Sequence, residues 1–152
     1  VCGGDREPYR ESDMAHTENS FFQAAHEAVV PLFPEHIVIS VHGQRRDGVS
    51  LSNGTTNDIA ADAPVARLAR ALTAQFEGEL ITTCNRYEGD RYEAHLCGST
   101  NTQGRLINGS AVACTEAASR ASERFIHMEQ SRAIRAQPEG VAAAIVDALV
   151  PD

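Results

Sequence analysis

Ile37-Val38-Ile39-Ser40-Val41-His42-Gly43 and Arg124-Phe125-Ile126-His127-Met128-Glu129-Gln130 carry the strongest strand signals in the chain. The first is a β-branched apolar run that stops on a histidine and a glycine. Runs of this length and composition read as strands buried on both faces, as in parallel sheets. In the second, strand alternation puts Phe125, His127 and Glu129 on one face and Ile126, Met128 and Gln130 on the other. An α/β sheet gathers its chemistry at the carboxyl ends of its strands. His42 and Glu129 are therefore expected to converge there.

Helices are expected around these strands. Phe21, Ala25, Ala28 and Leu32 recur at helical spacing, which predicts a helix from about Asn19 to Val30, ended by Pro31 and Pro34. A second helix fits Ala63 to Glu77, with Asp62 as cap, Pro64 early, Gly78 as stop and a core stripe of Val65, Leu68, Leu72 and Phe76. Leu80 to Cys84 reads as another strand, Ala113 to Ser122 as a short helix, and Pro138 opens a last helix with Val141, Ile145 and Leu149 inside. Residues 1–15 read as an irregular polar segment, 43–63 as turns and 85–112 as a long irregular region. Helices alternating with apolar strands give one α/β domain over residues 1–152, a largely parallel sheet flanked by helices.

Composition narrows the partners. The 152 residues carry a net charge of −8, and all 13 basic residues are arginine. That field disfavours nonspecific nucleic-acid binding, which needs clustered positive charge. No apolar run approaches the ~20 residues of a membrane span. Cys2, Cys84, Cys97 and Cys114 form no CxxC motif, and their even number suits two disulfides and an oxidising compartment, secreted or periplasmic. Of the three connectivities, Cys97–Cys114 with Cys2–Cys84 is favoured, because the former closes a Gly/Asn/Ser-rich segment. Asn53-Gly54-Thr55 and Asn108-Gly109-Ser110 match the N-glycosylation pattern.

Gly43 lets a ligand or metal approach the backbone beside His42, and a neutral imidazole is a common metal ligand. Glu129 suits a general base and acid, and His127 suits orienting its neighbour. Asp13 and His16, at i and i+3, project together in a helical turn, with Glu18 just beyond. In the loop 98–105, Arg105 suits clamping a substrate anion, and Asn101 is the other candidate contact. His26 reads as a partly buried structural histidine. No nucleophile elbow, P-loop, GxGxxG or HExxH motif is present.

Taken together, Ser12-Asp13-Met14-Ala15-His16 with Phe21-Phe22 and His26, Val41-His42-Gly43, and Phe125 to Ser131 followed by Arg135 resemble the fold shared by zinc carboxypeptidases, N-formylglutamate amidohydrolases and poly-γ-glutamate hydrolases. The resemblance spans roughly residues 12–43 and 97–135. It implies a zinc-exopeptidase-like fold lacking its first strands, with zinc or another divalent metal on His42. It further implies Glu129 as base and acid, and a substrate near His16, Arg105 and Arg135. The family's two earlier ligands lie upstream; no histidine precedes His16 here, so Asp13, His16 and Glu18 are the candidates to replace them.

The expected activity is metal-dependent hydrolysis of an amide or peptide bond in a small or peptide-like substrate, with esters and phosphoesters next. The alternative is a noncatalytic binding or structural module that keeps the old fold. A truncated sheet would expose an edge, giving a homo-oligomer through strand pairing.

Overall fold

The computed structural model describes Cys2 and residues 13–150; most of the polar segment expected at the amino terminus lies outside the described residues. Two strands run side by side in parallel, β1 (Val38–Gly43) and β4 (Phe125–Gln130), in the register Val38↔Phe125 to Gly43↔Gln130. On its other side β4 pairs antiparallel with β2 (Val49–Ser52), and β2 pairs in parallel with β3 (Ile81–Thr83). The sheet order is β1-β4-β2-β3. It is a mixed four-stranded sheet, whereas a largely parallel one was expected.

Strand β2 falls in the segment expected to be turns. It forms because Val49 and Leu51 point into the core while Ser50 and Ser52 point to the opposite face. Gly48, at φ +75°, makes the entry possible: a Cβ there would collide with the Leu80 carbonyl.

The two faces of the sheet differ sharply. One packs on α2 (Pro64–Gln75) and α5 (Pro138–Leu149). Val65, Leu68, Leu72, Phe76, Val141 and Ala144 meet Val49, Leu51, Ile126 and Met128 there in one apolar cluster. Arg67 ties the two helices together by donating from Nε to the Ala148 carbonyl at 2.9 Å. The stripe expected for α2 is the buried one.

The other face is polar and lies beneath α3 (Thr102–Ile107), α1 (Phe21–Leu32) and a 3-10 turn at Met14–His16. Helix α1 starts at a Ser20 cap that accepts from the Gln23 amide, and it runs one residue past Pro31, where the missing N–H costs a single bond. Helix α3 lies inside the region expected to be irregular. Asn101 caps it by accepting from the Gly104 amide at 2.9 Å. Gly104 is required by close approach, since a Cβ there would stand 2.4 Å from the Phe125 ring. A four-residue helix, α4 (Arg132–Arg135), follows β4. The helix expected over 113–122 is absent; turns and bends replace it.

The disulfides are Cys2–Cys114 and Cys84–Cys97, and this overturns the favoured pairing. The end of β3 explains the second: Thr83 donates to Arg91 and accepts from Glu93, so the chain returns alongside and Cys97 comes within a Cα distance of 5.5 Å. The Cys2 amide donates to the His16 carbonyl, which fixes that end near the site face. Both sequon asparagines are buried. Asn53 shares hydrogen bonds with Asn85 and Thr55, and Asn108 with the Asn53 carbonyl and Ser122, so in the folded chain their amides are structural.

Candidate metal centre

Parallel register sets Ser40 beside His127 and His42 beside Glu129, so all four side chains share the polar face. The antiparallel neighbour adds Ser50 and Ser52. Those two serines hold a covering segment: Ser50 Oγ donates to the His95 carbonyl at 3.0 Å, and Ser52 Oγ donates to the Cys97 carbonyl. The Cys84–Cys97 disulfide anchors the same segment to the end of β3.

Beyond Cys97 the chain passes directly over His127. Gly98, at φ +63°, would place a Cβ 2.4 Å from the imidazole. Leu96 also takes a left-handed backbone, at φ 54°, a costly conformation for a branched apolar residue. Gly98→Ala is accordingly expected to lose roughly 2–3 kcal/mol through combined backbone strain and overlap. Urea unfolding checks this, and a change under about 0.5 kcal/mol would contradict the close approach.

Under this cover lies a cavity of about 280 Å³, lined among others by Asp13, His16, His42, Asn101, His127 and Glu129. One donor atom each from His42, His127 and Glu129 lies within 4.8 Å of the other two. His127 Nε2 stands 3.6 Å from Glu129 Oε1, and the two imidazole centroids are 4.7 Å apart. Asn101 Nδ2 donates to Ser40 Oγ at 3.3 Å, and Ser40 Oγ lies 2.8 Å from His42 Nε2. When Nε2–H donates to that hydroxyl, Nδ1 keeps its lone pair, the tautomer a metal ligand needs.

Burial sets the protonation. His127 is lowered to about 3, first by desolvation and then by its neighbours His42 and His16, with a Leu96 backbone contact acting weakly the other way. His42 is also lowered, chiefly by desolvation, with Asp13 opposing and His16 adding. Desolvation, helped by the Asp13 charge, raises Glu129. The site thus presents two neutral imidazoles and a carboxyl whose ionised form is poorly stabilised. A divalent cation would offset the carboxylate's desolvation and find both imidazoles already neutral, as ligands must be.

Comparison with protein-family models, curated proteins and solved structures gives no match.

The other expected site residues divide in two. Asp13 and His16 line the cavity as a pair: Asp13 Oδ2 lies 3.1 Å from His16 Nδ1, and Thr100 Oγ1 lies 3.0 Å from His16 Nε2. Asn101 is there too, as helix cap and support for Ser40. Glu18 stands instead beside the Cys2 and Cys114 sulfurs, which are committed to their disulfide. Arg105 is a structural bolt, donating to the carbonyls of Ser99 at 2.8 Å and Cys114 at 3.2 Å. Arg135 lies against Gly43, on the face of β1 opposite His42. None of these three lines the cavity. Sequence reasoning missed Ser40 and Gly98. Ser40 had a signal, since it sits two residues before His42 on the same strand face.

Proposed function

We propose that this chain is a metal-dependent hydrolase whose ion is held by His42, His127 and Glu129. The observation that carries the reading is the convergence of those three donors within 4.8 Å on the buried polar face. Two histidines with one carboxylate is a donor set used by catalytic zinc sites, which keep a further position open. The donors fit the group: both imidazoles are held neutral and the carboxyl lacks a strong charge partner. A divalent ion there supplies Lewis-acid activation of water and polarisation of a carbonyl.

The chain's own residues supply the rest. Ser40 and Asn101 fix the His42 ring. His16, oriented by Asp13 at 3.1 Å, stands at the cavity wall in the arrangement by which an imidazole passes a proton to or from a substrate. This moves the proton role expected for Glu129 to the Asp13–His16 pair. An amide or peptide bond in a small or peptide-like substrate is the reading closest to the zinc-exopeptidase resemblance, which the side-by-side placement of His42 and Glu129 on β1 and β4 supports. Two disulfides favour a secreted or periplasmic setting. Among the described residues no helix is long and apolar enough to cross a membrane.

The test is zinc titration of metal-stripped protein by calorimetry, with elemental analysis after dialysis. About one zinc per chain is the expected result. No uptake would overturn the hydrolase reading in favour of a binding module. That second reading has its own observation: β1 is an edge strand whose Val41 is 56% exposed, a surface suited to strand pairing with a second copy.

A further inference from the structure

The cavity beside the three proposed ligands has walls of one charge sign. Its other titratable groups are Asp13 and His16, and among the described residues no arginine lines it. The chain contains no lysine. Both arginines expected to clamp a substrate anion are turned away: Arg105 donates to the Ser99 and Cys114 carbonyls, and Arg135 lies against Gly43 on the opposite face of β1. A carboxylate entering here would lose its hydration with no guanidinium to replace it. Asp13 offers the reverse. Its Oδ1 accepts from the Ala15 amide at 3.2 Å, and Oδ2 faces His16 Nδ1 at 3.1 Å. A carboxylate has about four lone-pair sites, so these contacts leave others to spare. The side chain is 39% exposed. Its charge also reaches His42 and Glu129, where it ranks second after burial in setting their protonation. The spare acceptor therefore stands within electrostatic reach of the proposed metal position.

We propose that this cavity selects a small amide bearing a cationic amine, such as a free amino terminus, with Asp13 receiving the ammonium group and the amide lying toward His42, His127 and Glu129. Charge-assisted hydrogen bonds of this kind are roughly twice as strong as neutral ones. The net charge of −8 steers ligands of the same sign inward. A volume of about 280 Å³ lies at the small end of ligand pockets, which limits the occupant to about one or two residues. Asp13 is thereby a specificity-determining residue as well as the group that orients His16. The inference rests on the hydrolase reading for the bond that is cleaved. Recognition of the amine stands on Asp13 and on the absent guanidinium, so its test reads binding without metal.

Alaninamide, a cation, and N-acetylalanine, an anion of similar size, would be titrated into the metal-free full chain at about pH 6.5, where an α-amino group of pKa ~8 is charged, and at about 50 mM salt, where screening is modest. Backbone amide shifts of Gly98, Thr100 and Asn101 in proton–nitrogen spectra report occupancy of the cavity. Alaninamide is expected to saturate these shifts and to bind at least about tenfold more tightly than N-acetylalanine. Asp13→Asn keeps the oxygen that caps the turn and is expected to bring the ratio below about threefold. Glu88→Gln removes one charge at an exposed position outside the cavity and is expected to change the ratio less than about twofold. Equal or tighter binding of the anion, no saturation by either ligand, or a preference that survives Asp13→Asn would overturn the inference. If Asp13→Asn binds neither ligand, Asp13→Glu decides: it keeps the charge, so the preference must return, and its absence overturns the inference too. Zinc titration of the same sample separates the two readings. Uptake without preference sinks the substrate class alone, whereas preference without uptake sinks the hydrolysis and leaves an amine-binding cavity.

Discussion

Replacing Glu129 by glutamine is expected to weaken metal uptake at the proposed His42–His127–Glu129 site before it weakens the fold. The carboxyl is nine-tenths buried and its pKa is raised, so a neutral amide of the same length removes a group that already resists ionisation. Stability without metal should change by less than about 1 kcal/mol. Metal affinity should fall much further. Altering a group that only supports a ligand costs about 10–100-fold, so losing a ligand costs at least about a hundredfold. Turnover of any amide substrate should fall with metal occupancy, by at least about a hundredfold at subsaturating zinc. Zinc titration of wild type and variant checks this. Should the variant keep one zinc and lose only turnover, Glu129 would be the proton carrier and His42 and His127 would need another partner.

The second large effect is acid sensitivity of the metal-free protein. His127 has a folded pKa of about 3 against an ordinary 6.5, so the unfolded chain binds its proton first as pH falls. Stability from this group is fully present above pH 6.5 and drains away towards pH 3. At ~1.4 kcal/mol per unit, the loss over the whole window is on the order of 5 kcal/mol. His42, also lowered, adds loss of the same sign below 6.5. Glu129 works oppositely: its raised pKa favours the fold below its ordinary 4.5, and that contribution is lost as pH rises through the folded value. Two histidines outweigh one carboxyl over most of the range. Urea melts between pH 7 and 4.5 should show the decline, and His127→Gln should flatten it by about one proton. An unchanged slope in that variant would remove His127 as the cause.

The sequence was legible where one physical signal dominated. Helix α2 announced itself because Val65, Leu68 and Leu72 repeat at helical spacing between Pro64 and Gly78, and that stripe is the core. β1 and β4 were legible as apolar runs, and the share of the site they carry followed directly: His42 and Glu129 are register partners. β2 was hidden because half of its four residues are serines, chosen to face the polar side. α3 was hidden for a related reason: Thr102, Gln103 and Gly104 on its buried side give no apolar period. The disulfide pairing depended on the chain turning back after Thr83, a contact no local pattern encodes. His127 was read as orienting its neighbour; its closeness to His42 arises only once β1 and β4 pair.

The Cys2–Cys114 bond closes a ring of most of the chain, its ends 112 residues apart. A protease that cuts once anywhere between those cysteines therefore releases nothing. The two fragments travel as a single molecule until a reductant parts them. A chain built this way stays covalently whole when an exposed loop between those cysteines is nicked, and the segments from both sides of the cut that wall its cavity remain joined.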